Sequence, residues 1–202
     1  LALAIGQSVP FVQVSPKAFL MAAMSGTTMT TTLRSYIPLA QPYNIAAFGS
    51  YAGTEVLANN TVPANMTDWI LVDIRDSITP TTIVATHAAV LMSDGSITDM
   101  DGVSPITFLN ITPGRYYVGL RHRNSLAIRS ASLLSLSSTT TVSDFRSVAA
   151  NAYTNPAITT NGPLKLVSTG VYAMWGGNTN GDATIKYSGP GNDEIALLST
   201  CL

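Results

Sequence analysis

Charge is scarce in this chain: only 10% of its 202 residues are Asp, Glu, Lys or Arg, and the formal net charge is −1. An ordinary soluble domain carries about a quarter charged residues. Ten basic residues against eleven acidic ones leave no cationic footprint for nucleic acid, which excludes that class of partner. Weak like-charge repulsion also lets copies approach one another, so self-association becomes a live expectation. Cysteine is nearly absent. Cys201 alone cannot staple the fold, which must rest on packing, hydrogen bonding or a metal. Long hydrophobic runs are missing too: Leu1 to Gly6 and Phe19 to Met24 fall well short of the ~18 residues of a membrane-spanning helix. No transmembrane segment is expected. The opening Leu-Ala-Leu-Ala-Ile-Gly reads like the end of a signal-peptide apolar region or a segment exposed by processing, which points to export.

Helical periodicity is weak, whereas short runs rich in β-branched and aromatic residues recur between Gly, Pro, Asn and Asp turn signals. The pattern predicts an all-β chain. Val9 to Val14 reads as a strand, and Ala18 to Met24 as a strand or a short helix. Residues 25–67, rich in Thr, Asn and Ala, suit long loops with short strands. From Asp68 the pattern sharpens: Ile70, Val72 and Ile74 alternate with Trp69, Leu71, Asp73 and Arg75, a strand with one clearly apolar face. Ile83 to Met92 follows, and Asp94-Gly95 supplies a two-residue turn that tolerates positive φ. Ile97 to Met100, Ile106 to Phe108 and Arg115 to Arg123 complete a meander or Greek key. Turn spacing of about 8–12 residues predicts an immunoglobulin-like antiparallel sandwich over 66–145. Residues 1–65 are then an N-terminal extension with strands and loops, and 146–202 a small loop-rich C-terminal unit. Tyr116, just after Pro113-Gly114, stands where a tyrosine can hydrogen-bond back across a corner.

Catalysis needs an activated nucleophile or a tuned pair of carboxylates, and the sequence assembles neither, so no enzyme is expected. Should activity exist, Asp73, Asp99, Asp101 and Asp144 are the carboxylates to examine first. The only histidines are His87 and His122. In the strand from Arg115, His122 shares a face with Tyr116, Val118 and Leu120, so both histidines are expected as hydrogen-bonded core-edge residues. Tyr117, Arg121 and Arg123 lie on the other face. With Trp175 they form a candidate binding set for an acidic glycan, while cross-strand pairing of the arginines with Asp73 is the structural alternative. Near the C-terminus, Asn178, Asn180 and Asp182 are spaced two apart with Thr184 following, as in the first half of a calcium loop. Ala183 stands where such a loop needs glycine, and Gly189 where it needs a bidentate Glu. Two readings stay open: a calcium site, or an Asx-turn loop without metal.

Five stretches are familiar together: Val-Ser-Pro-Lys-Ala-Phe-Leu (14–20), Asp-Trp-Ile-Leu-Val-Asp-Ile-Arg-Asp (68–76), Asp-Gly-Ser-Ile-Thr-Asp-Met-Asp-Gly-Val-Ser-Pro (94–105), Pro-Gly-Arg-Tyr-Tyr-Val-Gly-Leu-Arg-His-Arg-Asn (113–124) and Gly-Asp-Ala-Thr-Ile-Lys-Tyr-Ser-Gly-Pro-Gly-Asn-Asp (181–193). They resemble a region near the C-termini of large secreted, hemagglutinin-like surface proteins of Bacteroidetes. The resemblance implies an extracellular or cell-surface location in a diderm bacterium. Asp76-Ser77-Ile78 also looks like the O-glycosylation motif of that phylum, with Ser77 as acceptor, against the alternative of a plain exposed turn.

Sparse charge and the apolar segment Leu1 to Val14, which has no local hairpin partner, lead to the functional expectation. The chain is a self-assembling subunit of an extracellular filament, sheath or layer, its partners copies of itself. In that scheme Phe11, Val12 and Val14 complete a neighbour's sheet. The alternatives are a strand that closes its own sheet and, in function, an adhesin or glycan-binding module.

Overall fold

A computed structural model describes residues 9–49, 51–157, 161–180, 184–186, 188–190 and 192–193. It is an all-β sandwich with almost no helix. Among the described residues thirteen strands follow one another: β1 (Phe11–Lys17), β2 (Met24–Ser25), β3 (Thr28–Met29), β4 (Met66–Arg75), β5 (Ile83–Met92), β6 (Ile97–Thr98), β7 (Ile106–Leu109), β8 (Gly114–His122), β9 (Ser125–Arg129), β10 (Leu134–Leu136), β11 (Thr141–Asp144), β12 (Lys165–Ser168) and β13 (Val171–Ala173). The large sheet runs β10-β8-β4-β5-β6, with β9 also paired to β8, and all its neighbours are antiparallel. The small sheet runs β11-β1-β7.

Period-2 alternation builds the space between the two sheets. In β1 the buried positions are Val12, Val14, Pro16 and the half-buried ones Phe11, Gln13, Ser15 and Lys17, so one face goes inward. Val12 and Val14 meet Ile70, Val72, Ile74, Val118 and Leu120 of the large sheet in one apolar core. Each fully buried aliphatic side chain there contributes roughly 1.5–3 kcal/mol. The Asp94-Gly95 turn closes β5 onto β6 with φ of +85° at Gly95, and a Cβ there would come within 2.9 Å of the Ala18 carbonyl oxygen. Only glycine meets both demands. The corner at Tyr116 forms as its position predicts: the hydroxyl donates to the Thr112 carbonyl at 2.9 Å.

Three expectations are revised. First, the strand carrying Phe11, Val12 and Val14 is not left open for a neighbour: Phe11 to Val14 pair antiparallel with β7, and Val14 to Lys17 pair parallel with β11. Its partners lie about a hundred residues away, which is why no local hairpin partner was visible; Leu1 to Ser8 lie outside the described residues. Second, β4 has two apolar faces. Trp69 and Leu71 join Ala88, Val90, Ile37, Tyr43 and Leu57 in a second core, covered by the irregular chain of residues 34–49 and 51–57. Third, the cores cross both expected boundaries. Ala18, Phe19 and Leu20 from one side, and Leu164, Ala173 and Met174 from the other, belong to the sandwich core.

Candidate functional site

The second face of the large sheet changes character along β4, from Trp69 and Leu71 to Asp73 and Arg75. Asp73 is fully buried and accepts four hydrogen bonds: Arg121 Nε and Nη2 at 2.9 and 2.8 Å, Arg75 Nη2 at 2.8 Å and the Thr86 hydroxyl at 2.8 Å. The Arg121 pairing is a two-pronged fork, the strong form of this contact. Pairing between β4 and β8 sets Asp73 opposite Gly119, and Arg75 lies over that glycine. A Cβ at 119 would sit 2.6 Å from Arg75 Nε. Two guanidiniums thus share one carboxylate.

A third guanidinium stands alongside. Arg129 of β9 pairs opposite Gly119 and lies over two rings, 4.7 Å from the centre of Tyr117 and 3.6 Å from that of Tyr153. Such cation–π contacts hold the charge in place. Its Nη1 donates to the Ser130 carbonyl at 3.1 Å, and among the described residues no carboxylate pairs with it.

Over these residues opens a cleft of about 690 Å³, its other side supplied by the chain after Tyr153. Arg75, Arg121, Arg129, Tyr153, Trp175 and Asn178 all line it. That volume lies within the ~300–1,000 Å³ of small-ligand sites. Trp175 is positioned by its indole N–H, which donates to the Gly162 carbonyl at 3.0 Å, and by Lys165, whose ammonium lies 5.0 Å from the ring centre. The backbone beside it is tied to β9: Leu126 N–H donates to the Trp175 carbonyl and Gly177 N–H to that of Asn124. Asn178 is 6% exposed, yet among the described residues its side-chain oxygen has no donor. A buried acceptor left in that state costs roughly 1–3 kcal/mol until something donates to it.

The candidate binding set therefore divides. Arg121 and Trp175 reach the cleft, and Tyr117 supports Arg129 from behind. Arg123 is engaged elsewhere, its Nη2 donating to both oxygens of Asp68 at 2.7 and 2.8 Å. Arg75, Arg129, Tyr153 and Asn178 escaped the sequence reading of glycan contacts. Arg129 and Tyr153 carry no motif, and only the fold brings them together.

His122 is the core-edge histidine the strand pattern predicts. It is buried, its Nδ1 accepts the Asn124 N–H at 3.2 Å, and its Nε2 faces Asp68 Oδ2 at 3.2 Å. The backbone donor at Nδ1 leaves Nε2 as the protonated nitrogen. Burial works against ionisation of Asp68, but the His122 hydrogen bond and the Arg123 charge outweigh it and hold the carboxyl below its usual range. His87 lies at the sheet edge with Nε2 3.2 Å from Asp99 Oδ1, and that hydrogen bond lowers the Asp99 carboxyl.

The carboxylates singled out for catalysis each have a structural contact. Asp73 holds two arginines, Asp99 faces His87, Asp101 accepts the N–H groups of Val103 and Ser104, and Asp144 pairs with Arg146 at 2.8 Å. In the calcium-type loop, Asn178, Asn180 and Thr184 are described and Asp182 lies outside the described residues. Asp193 shapes this loop, its two oxygens accepting the N–H groups of Thr179 and Lys186 at 2.8 Å each. Among the described residues no group of three or more His, Cys, Asp or Glu side chains is gathered as a metal site. Ser77 sits in a turn built by Asp76, whose Oδ1 accepts the N–H groups of Ile78 and Thr79 at 2.9 and 2.7 Å. Also among the described residues, no helix is long and apolar enough to cross a membrane.

Comparison of the chain with protein-family models, with curated proteins and with solved structures returns no match.

Proposed function

We propose that the chain is a non-enzymatic recognition module of an extracellular or cell-surface protein of a diderm bacterium, with the cleft as its carbohydrate-binding site. One observation carries this reading: Tyr153 and Trp175 line a single cleft, each with a cation against its ring. Braced aromatics offer flat apolar surface at little entropic cost, and sugars use such surfaces for stacking while amides and guanidiniums meet their hydroxyls. The resemblance to secreted surface proteins and the sparse charge support the location. A glycan array with the purified chain tests the reading: saturable binding is expected, weakened at least about tenfold by Trp175→Ala. Absence of saturable binding across the array overturns it.

Self-association into a filament, sheath or layer is the second reading. Tyr36, Leu39, Ile45 and Val56 are exposed on the irregular segment that covers the second core, and Leu33 just before it. Several exposed large apolar side chains on one segment favour contact with another surface. Sedimentation velocity and electron microscopy decide it: dispersed monomers at every concentration remove assembly, and Tyr36→Glu with Leu39→Glu should disperse any assembly that forms.

A further inference from the structure

We infer that the cleft selects an acidic saccharide, its anionic group held by Arg129 and one of its hydroxyls donating to Asn178; this rests on the carbohydrate-binding reading above. Charge accounts for the first half. Arg75, Arg121 and Arg129 line the cleft, and Asp73, the carboxylate beneath them, offsets one of the three. Arg75 and Arg121 spend donors on Asp73, whereas Arg129 commits Nη1 to a neutral carbonyl and is fixed between Tyr117 and Tyr153. A guanidinium immobilised before the ligand arrives is pre-organised for a two-pronged bond to a carboxylate or sulfate.

Asn178 accounts for the second half. Asn178 lines the same cleft, and its buried side-chain oxygen lacks a donor among the described residues. An acceptor in that position calls for a ligand O–H or N–H, which a bare inorganic anion such as sulfate does not supply. The ligand must offer an anion to Arg129, a hydroxyl to Asn178 and a ring face to Trp175 or Tyr153. Acidic sugars combine all three.

Isothermal titration of the whole chain against matched pairs tests this: sialyllactose with lactose, trigalacturonate with its methyl ester, and a chondroitin sulfate oligosaccharide with its desulfated form, plus sodium sulfate alone. At least one acidic member should bind at least about tenfold tighter than its neutral partner. Arg129→Gln should erase that preference, bringing the acidic member down to the affinity of its neutral partner, and Asn178→Asp should weaken the acidic member by charge repulsion. Arg129→Lys, which keeps the charge and loses the fork, should fall between and guards against a folding defect. Equal affinity within every pair overturns acid selection and leaves carbohydrate binding standing. Failure of every sugar overturns both readings. Sulfate binding as tightly as the sugars, with Asn178→Asp no weaker for sugar than for sulfate, overturns the saccharide and leaves an anion site.

Discussion

Strand β4 is buried on both faces, but the two are built differently. Ile70, Val72 and Ile74 pack against a regular sheet, where each partner side chain is set by the pleat. Trp69 and Leu71 pack against irregular chain, where one tyrosine and one tryptophan replace the pleat by hydrogen bonds: Tyr43 donates to the Trp69 carbonyl at 2.7 Å, and Trp69 Nε1 donates to the Pro38 carbonyl at 2.9 Å. A loop can cover a core only if its buried polar groups are satisfied: one anchor does that for the Pro38 carbonyl and the other for the buried Tyr43 hydroxyl. Farther along the same face Arg121 Nη1 donates to the Phe48 carbonyl at 3.3 Å, and Arg75 and Arg121 supply the charged floor of the cleft. The cleft thus sits where the irregular layer ends.

The largest expected effect breaks this comparison at the irregular face. Trp69→Ala removes a fully buried indole and its anchor to Pro38, and should cost about 3–5 kcal/mol, read from the urea midpoint. Leu120→Ala on the regular face should cost about 2–5 kcal/mol. A loss under about 1 kcal/mol at Trp69 would mean that the irregular cover is not a second core. Next comes Gly119→Ala, which drives a methyl to within 2.6 Å of Arg75 Nε. It should cost about 1–3 kcal/mol and displace Arg75 from Asp73, since overpacking against a tethered guanidinium finds no slack.

Sequence patterning shows the regular face almost completely and the irregular one hardly at all. The alternation of Ile70, Val72 and Ile74, the strand from Ile83 to Met92, and the turns at Asp94-Gly95 and Asp101-Gly102 all appear where the residues place them. Period-2 spacing is a local signal, so it survives without knowledge of partners. Ile37, Tyr43 and Leu57 have no period, and only their contacts with Trp69 make them core. The cleft is half legible for the same reason: Arg121 follows from strand alternation, whereas Arg129, Tyr153 and Asn178 are joined by tertiary geometry alone.

Acid sharpens the comparison at the start of β4 and just after β6. The carboxyls of Asp68 and Asp99 are both held below their ordinary values in the folded chain, so the stability they supply is complete above the unfolded value and lost as pH falls through the folded one. The unfolding midpoint should therefore drop as pH passes below about 4. Asp68→Asn should lower stability at neutral pH and flatten part of that acid limb, as followed by thermal denaturation at a series of pH values. An acid limb unchanged in the variant would remove Asp68 from the account.

The smallest effect belongs to the regular face, at the corner where β8 begins. Tyr116 is half-buried against the sandwich core, and its hydroxyl reaches back four residues to the Thr112 carbonyl. Tyr116→Phe keeps the ring and its packing and removes a single neutral hydrogen bond whose acceptor is exposed to water. The net loss should be about 0.5–1.5 kcal/mol, because water replaces the lost donor at Thr112. Tyr116→Ala, which also empties the space the ring fills, should cost several-fold more, and the gap between the two variants measures packing against hydrogen bonding at this corner. If Tyr116→Phe instead matches Tyr116→Ala, the hydroxyl is what fixes the turn between Thr112 and Gly114. The start of β8 would then depend on that bond, although β10 pairs with this end of the strand through Leu134 to Leu136.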